Sequence, residues 1–176
     1  SFLEELSTEA RLEEVQQQCS RNEAEAACKL AKKRLCTDDE WLTACRGRAP
    51  TRYPYGPERK DNYCADTNRV SPLGKLFGDL GSPDAYTFEN MNDPRLDQVD
   101  GGIAPTGSFP HCKSSFRVYD MVGNVHEWTA DPAGTFRGGY FLDTKINGEG
   151  CDYHTVAHDA TYHDYSTGFR CCADPR

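Results

Sequence analysis

Apolar positions along the chain follow two different patterns. In the first third they recur at helical spacing. Within TEARLEEVQQQC, residues 8–19, Leu12, Val15 and Cys19 share one face behind a Ser7 cap. An Ala-rich stretch, EAEAACKLAKKRL, predicts a second helix after Asn22, and its closing cations suit a helix C-terminus. The third start is the sharpest. Thr37 and Glu40 make a T-x-x-E capping box, Asp38 and Asp39 fill the first turn, Cys36 faces Trp41 as a hydrophobic staple, and Gly47 stops the helix. From Arg48 to about Phe109 the periodicity disappears under Pro, Gly, Asp and Asn. An irregular stretch of that length is expected to be functional surface or to be pinned by cysteine or metal. From Phe116 onward, short apolar pieces (FRVYDMV, FRGGYFL and STGFRCC) alternate with glycines and predict short strands joined by tight turns. With no repeat and no linker, the pattern predicts one α+β, loop-rich domain.

Composition adds a need for staples. The 176 residues suit one domain, and 37% hydrophobic content with 9 Tyr and 8 Phe can bury a core, though a lean one. Nine cysteines are dense for that length, and no C-x-x-C occurs, so disulfides are expected rather than a zinc ribbon or a thioredoxin-like site. The expected compartment is therefore extracytoplasmic: periplasmic, cell-surface or secreted. The odd count leaves at least one thiol free or paired with another chain. A formal net charge of −8 with no basic tract excludes nucleic acid as a natural partner. No apolar run approaches the roughly 20 residues of a membrane span, and the acidic start lacks the apolar core of a signal peptide. No G-x-S-x-G, P-loop or G-x-G-x-x-G is present, so serine-hydrolase, NTPase and dinucleotide readings have no support.

Two clusters have chemistry of their own. In DMVGNVHE, residues 120–127, Asp120 and Glu127 supply carboxylates while Gly123 and Asn124 permit a tight turn that directs the Gly123 and Val125 carbonyls inward. A hard cation such as calcium takes this mixture of oxygens; the alternative is a turn in which the two carboxylates cap backbone amides. The second cluster, CDYHTVAHDATYHDY, gathers Tyr153, His154, His158, Tyr162, His163 and Tyr165. It reads as a polar binding face, since Tyr offers a large contact area at low entropic cost. Its three histidines could instead hold zinc or iron, but HTVAH lacks the Glu of H-E-x-x-H, which argues against those metals.

Three segments, read in order, carry a resemblance. They are KRLCTDDEW with ACRG and YPYG (33–56), GSFPHC with FRVYDMVGNVHEWTAD (107–131), and FRGG with STGFRCCAD (136–174). Together they resemble the formylglycine-generating-enzyme, or sulfatase-modifying-factor, family, whose usual pattern runs KRLPTEAEWEYA, YPWG, GLYDMVGNVWEWT, RGG and a closing GFR. The resemblance implies a C-type-lectin-like fold with N-terminal helices and short antiparallel strands over residues 22–176. Residues 1–21 then form a helical extension in place of the family's F-x-M-G strand. It implies calcium at Asp120, Gly123, Val125 and Glu127, and a second, looser site drawing on Asp66, Asn68 and Asp100. It pairs Cys45 with Cys171. Cys64–Cys151 is the preferred second bridge, with Cys19, Cys28 and Cys36 left to tie the helices.

The resemblance also shows where chemistry is missing. Catalytic members carry two cysteines five residues apart, beginning four positions after the RGG glycines, and use them with copper to oxidise a substrate cysteine. Counted from Gly139, those positions hold Asp143 and Gly148. Neither is a thiol, and soft copper needs thiolates. The expectation is a non-catalytic, calcium- and disulfide-stabilised binding or interaction module for a protein, peptide or glycan, able to form part of a larger protein or complex. The alternative is a metal-dependent oxidoreductase of the same family using iron or copper on a peptide or small molecule. His154 and His158 have the H-x-x-x-H spacing of the iron motif in related sulfoxide synthases, but Ala160 stands where its Glu belongs.

Overall fold

The computed structural model describes residues 18–78 and 80–174. The helix expected over residues 8–19 lies outside them except for Gln18 and Cys19, which are not helical. Helix α1, Arg21–Leu30, starts two residues earlier than expected because Ser20 and Glu23 form a capping box. It also ends earlier. Lys32 turns left-handed at φ 56°, and Arg34–Leu35 leave to form strand β1. Helix α2, Asp38–Arg46, has the expected Thr37–Glu40 capping box and stops at Gly47, φ 75°. Arg34 also grips Glu40, holding its carboxyl down at about 2.

The irregular middle is pinned by cysteine. Cys64–Cys112 closes it, and two short helices lie inside, α3 (Pro72–Phe77, capped by Ser71) and α4 (Phe88–Met91). Leu73 and Leu96 from this stretch bury against Phe141 and Tyr165, so the insertion has its own small core. Tyr165 is thus a core residue and not part of a binding face.

The strands that follow are β2 (His126–Trp128), β3 (Phe136–Arg137), β4 (His154–Thr155), β5 (Thr167–Phe169) and β6 (Cys171–Cys172). Four form a sheet in the order β4-β3-β2-β5, antiparallel except for the parallel β2–β5 pair, in which Glu127 lies opposite Gly168. Strand β6 pairs antiparallel with β1, Leu35 opposite Cys171. The fold is α+β with a mixed sheet, where all-antiparallel pairing was expected. FRVYDMV is not a strand, because Arg117 and Asp120 adopt left-handed φ of 64° and 57°. Gly138 also turns left-handed, φ 83°, and a side chain there would strike the Met121 carbonyl and the Trp41 ring. The RGG glycines therefore let the sheet pack against α2.

The disulfides depart from both expected pairs. Cys45 bonds Cys151, and Cys64 bonds Cys112; Cys171 and Cys172 bond Cys28 and Cys36. The reason is the β1–β6 ladder. It lays the CC dipeptide beside the chain between α1 and α2, and adjacent strand residues point to opposite faces, one toward Cys28 and the other toward Cys36. Cys45, at the end of α2, instead packs on the turn at Gly150–Asp152. Cys19 remains a free, buried thiol.

Candidate functional site

Strand β2 supplies two sites because successive residues face opposite ways. Glu127 enters one cavity and His126 another.

The first cavity, about 310 Å3, is lined by Asp120, Val125, Glu127, Thr106 and Arg170 among others. Glu127 is 5% exposed. Its Oε2 accepts the Trp41 indole N–H at 2.6 Å and Arg170 Nε at 2.8 Å, while Oε1 accepts the Arg170 Nη2 proton at 2.5 Å. Burial works against the Arg170 charge, but the Glu127 carboxylate outweighs it and raises the guanidinium pKa. Among the described residues Asp120 accepts only the Gly107 N–H, at 2.6 Å, and burial pushes its carboxyl up despite that bond and the Arg170 charge. Two carboxylates thus face one guanidinium. Of the two, Asp120 is the less committed, since both Glu127 oxygens already accept from Arg170 or Trp41. Gly123 does not line the cavity; it is pressed against the Ala65 backbone.

The looser second set is not brought together. Asp66 is ion-paired with Arg59 and also accepts the Thr144 hydroxyl, Asn68 approaches Asn62, and Asp100 lines a different cavity. Among the described residues no three His, Cys, Asp or Glu side chains are placed to share a metal.

The second cavity, about 150 Å3, is lined by His126, Phe136, Tyr153, His158, Tyr162 and Asp164 among others. His126 is sandwiched between the rings of Phe136 and Tyr140. Its Nε2 lies 3.3 Å from the Tyr153 hydroxyl and its Nδ1 3.4 Å from Ser166 Oγ. Tyr153 gives its one proton to Asp143 at 3.0 Å. Asp164, 6% exposed, accepts from the Ser166 hydroxyl and from Tyr162 at 2.6 Å. Burial pushes the His126 pKa down to about 4, although Asp164 and Asp143 pull the other way.

Of the six residues expected on a binding face, Tyr153, His158 and Tyr162 line this cavity. His154 is exposed outside it, and His163 packs edge-on to Phe88. His154 and His158 therefore do not act as a pair. His126, Phe136, Asp164 and Ser166 were missed, although one signal was legible: His126 stands where the family pattern has Trp.

Short strands, irregular loops stapled by disulfides and an HEW strand, β2, shared by two cavities define a class of loop-rich α+β domain. The chain belongs to the sulfatase-modifying factor enzyme 1-like domain family, whose model matches residues 9–175. It is 32% identical to the formylglycine-generating enzyme of Mus musculus over 113 residues, which is 64% of this chain and 26% of the mouse protein. It is 30% identical to the inactive C-alpha-formylglycine-generating enzyme 2 of the same species over 135 residues, 71% of this chain and 37% of that protein. The chain thus spans about a quarter to two fifths of these relatives. PvdO from Pseudomonas aeruginosa shares the fold, with a TM-score of 0.56 and 19% identity over 88% of this chain and 60% of that structure. Four disulfides assign the chain to an oxidising, extracytoplasmic compartment. Among the described residues no helix is long and apolar enough to cross a membrane.

Proposed function

We propose that this chain is a non-catalytic member of the family, a binding or interaction module braced by disulfides and calcium, and periplasmic, cell-surface or secreted. The state of the cysteines carries the reading. Eight of nine are in disulfides, and burial raises the thiol pKa of the ninth, Cys19, away from the reactive thiolate. Where the family's catalytic pair would fall, the Asp143 carboxylate accepts the N–H groups of Lys145 and Ile146, and Gly148 makes a left-handed turn at φ 110°. The inactive relative in mouse supports the existence of non-catalytic members.

Asp120 and Glu127, with the carbonyl oxygen of Val125, would hold the calcium, and Gly123, expected to join them, would serve the turn that carries them. Bound there, calcium would supply positive charge and no redox chemistry. Asp120 anchors the 104–107 segment through Gly107, and Glu127 anchors β2, α2 and Arg170, so one cation would tie these elements together. The ligand would be a protein, peptide or glycan met by the aromatic surface around β4; the net charge of −8 disfavours nucleic acid.

Incubated with copper(I), oxygen and a cysteine-bearing peptide, the protein is expected to leave the peptide thiol unoxidised beyond the protein-free rate, as read by peptide mass. Turnover above that rate would overturn the non-catalytic reading.

A further inference from the structure

The cavity on the His126 side of β2 has a charge problem that the protein does not solve by itself. Asp164 is buried and lines the cavity, and its hydrogen bonds come from the neutral groups of Ser166 and Tyr162. Among the described residues neither Asp164 nor Asp143, which lies just behind Tyr153, is in an ion pair, and no lysine or arginine lines the cavity. A buried carboxylate without a cation is costly and is ordinarily compensated. Among the described residues the two imidazoles of the cavity, His126 and His158, are not ion-paired with Asp164 either, and the His126 nitrogens lie against the Tyr153 and Ser166 hydroxyls.

The walls say what kind of cation would fit. Phe136 is 2% exposed, and the His158 ring stacks on Tyr162 at 3.6 Å, so much of the lining is aromatic. Aromatic walls attract organic cations through the ring quadrupole and offer little to a hydrated inorganic ion. The cavity, about 150 Å3, is small beside the ~300–1,000 Å3 of sites that engulf whole ligands, so it admits a head group. At its mouth, the His154 N–H donates to the Asn147 carbonyl and holds two segments together. The neighbours Ile146 and Val156 are 83% and 59% exposed, an apolar rim for the body that carries the head group.

We propose that this cavity binds an organic ammonium group, a protonated amine or a quaternary ammonium, with Asp164 supplying the counter-charge and Phe136, His158 and Tyr162 the aromatic walls. The site rests on the binding-module reading only in that the ligand is held and not turned over. Ligand source, whether a small molecule or a peptide amine, is separated by comparing free alkylammonium ions with lysine-containing peptides.

The test is an NMR titration of the intact chain with tetramethylammonium chloride at constant ionic strength, following the His126 and His158 ring resonances. Sodium chloride serves as the ionic control and tert-butanol as the neutral shape control. Saturable shifts of both rings with tetramethylammonium alone are expected, with affinity falling about tenfold in Asp164→Asn and several-fold in His158→Ala. His158 sits at the partly exposed wall, so its variant keeps the test decisive if Asp164→Asn does not fold. Absence of saturable shifts, equal shifts with sodium or tert-butanol, or unchanged affinity in His158→Ala would overturn the proposal. Peptide-thiol turnover, by contrast, would overturn only the non-catalytic reading and leave the cavity's cation selectivity as measured.

Discussion

Removing either bridge to β6 is expected to cost about 3 kcal/mol, and removing both about 8 kcal/mol, which exceeds the stability of many domains. The asymmetry follows from topology. Cys28–Cys171 alone spans 143 residues, a loop whose closure contributes about 5 kcal/mol in the chain-entropy model. Once it exists, Cys36–Cys172 closes only the small ring made by residues 28–36 and 171–172, which contributes about 3 kcal/mol. The same argument holds in reverse, so each bridge masks most of the other's loop. Denaturant unfolding of Cys36→Ala/Cys172→Ala, Cys28→Ala/Cys171→Ala and the quadruple variant measures this directly. Independent bridges would instead show about 5 kcal/mol lost in each double variant.

The second large effect is expected at Glu127. Its carboxylate is the meeting point of the Trp41 indole and the Arg170 guanidinium, all within the packed interior between α2 and the sheet. Glu127→Gln keeps the shape but leaves the Arg170 charge unpaired, at a cost of about 3–5 kcal/mol. Thermal unfolding in chelator should fall by roughly 10 °C. Adding Arg170→Met should recover part of that loss, because the unpaired charge is then gone. A Glu127→Gln protein as stable as the parent would mean that the ion pair does not brace the fold.

Much of the architecture was legible because its signals are local. The Thr37–Glu40 capping box, the Gly47 stop and the Cys36–Trp41 staple each lie within a few residues, and the helix they predict is present. The Ser20–Glu23 box was equally local and was overlooked, which moved the start of α1. What could not be read depends on strand register. The CC dipeptide meets Cys28 and Cys36 only because β1 pairs with β6, and a strand of two residues leaves no periodic trace. β2 was missed for a similar reason: His126–Trp128 is a three-residue strand whose pairing partners are distant. The candidate sites divide along the same line. Asp120 and Glu127 were found from the chemistry of a short motif, whereas Asp164 enters the second cavity through the parallel β2–β5 pairing, 38 residues beyond His126 in the sequence. Asp66, Asn68 and Asp100 formed only a looser set, and a local arginine, Arg59, claims Asp66.

The measurement that tests the account most directly is the metal content of the purified, untagged chain before any chelator is added, read together with its melting temperature in calcium and after chelation. One calcium per chain, no stoichiometric copper, and a calcium-dependent rise of roughly 5–10 °C at saturation that Asp120→Asn abolishes are the expected results. Stoichiometric copper with no calcium, and a melt indifferent to chelation, would contradict the account.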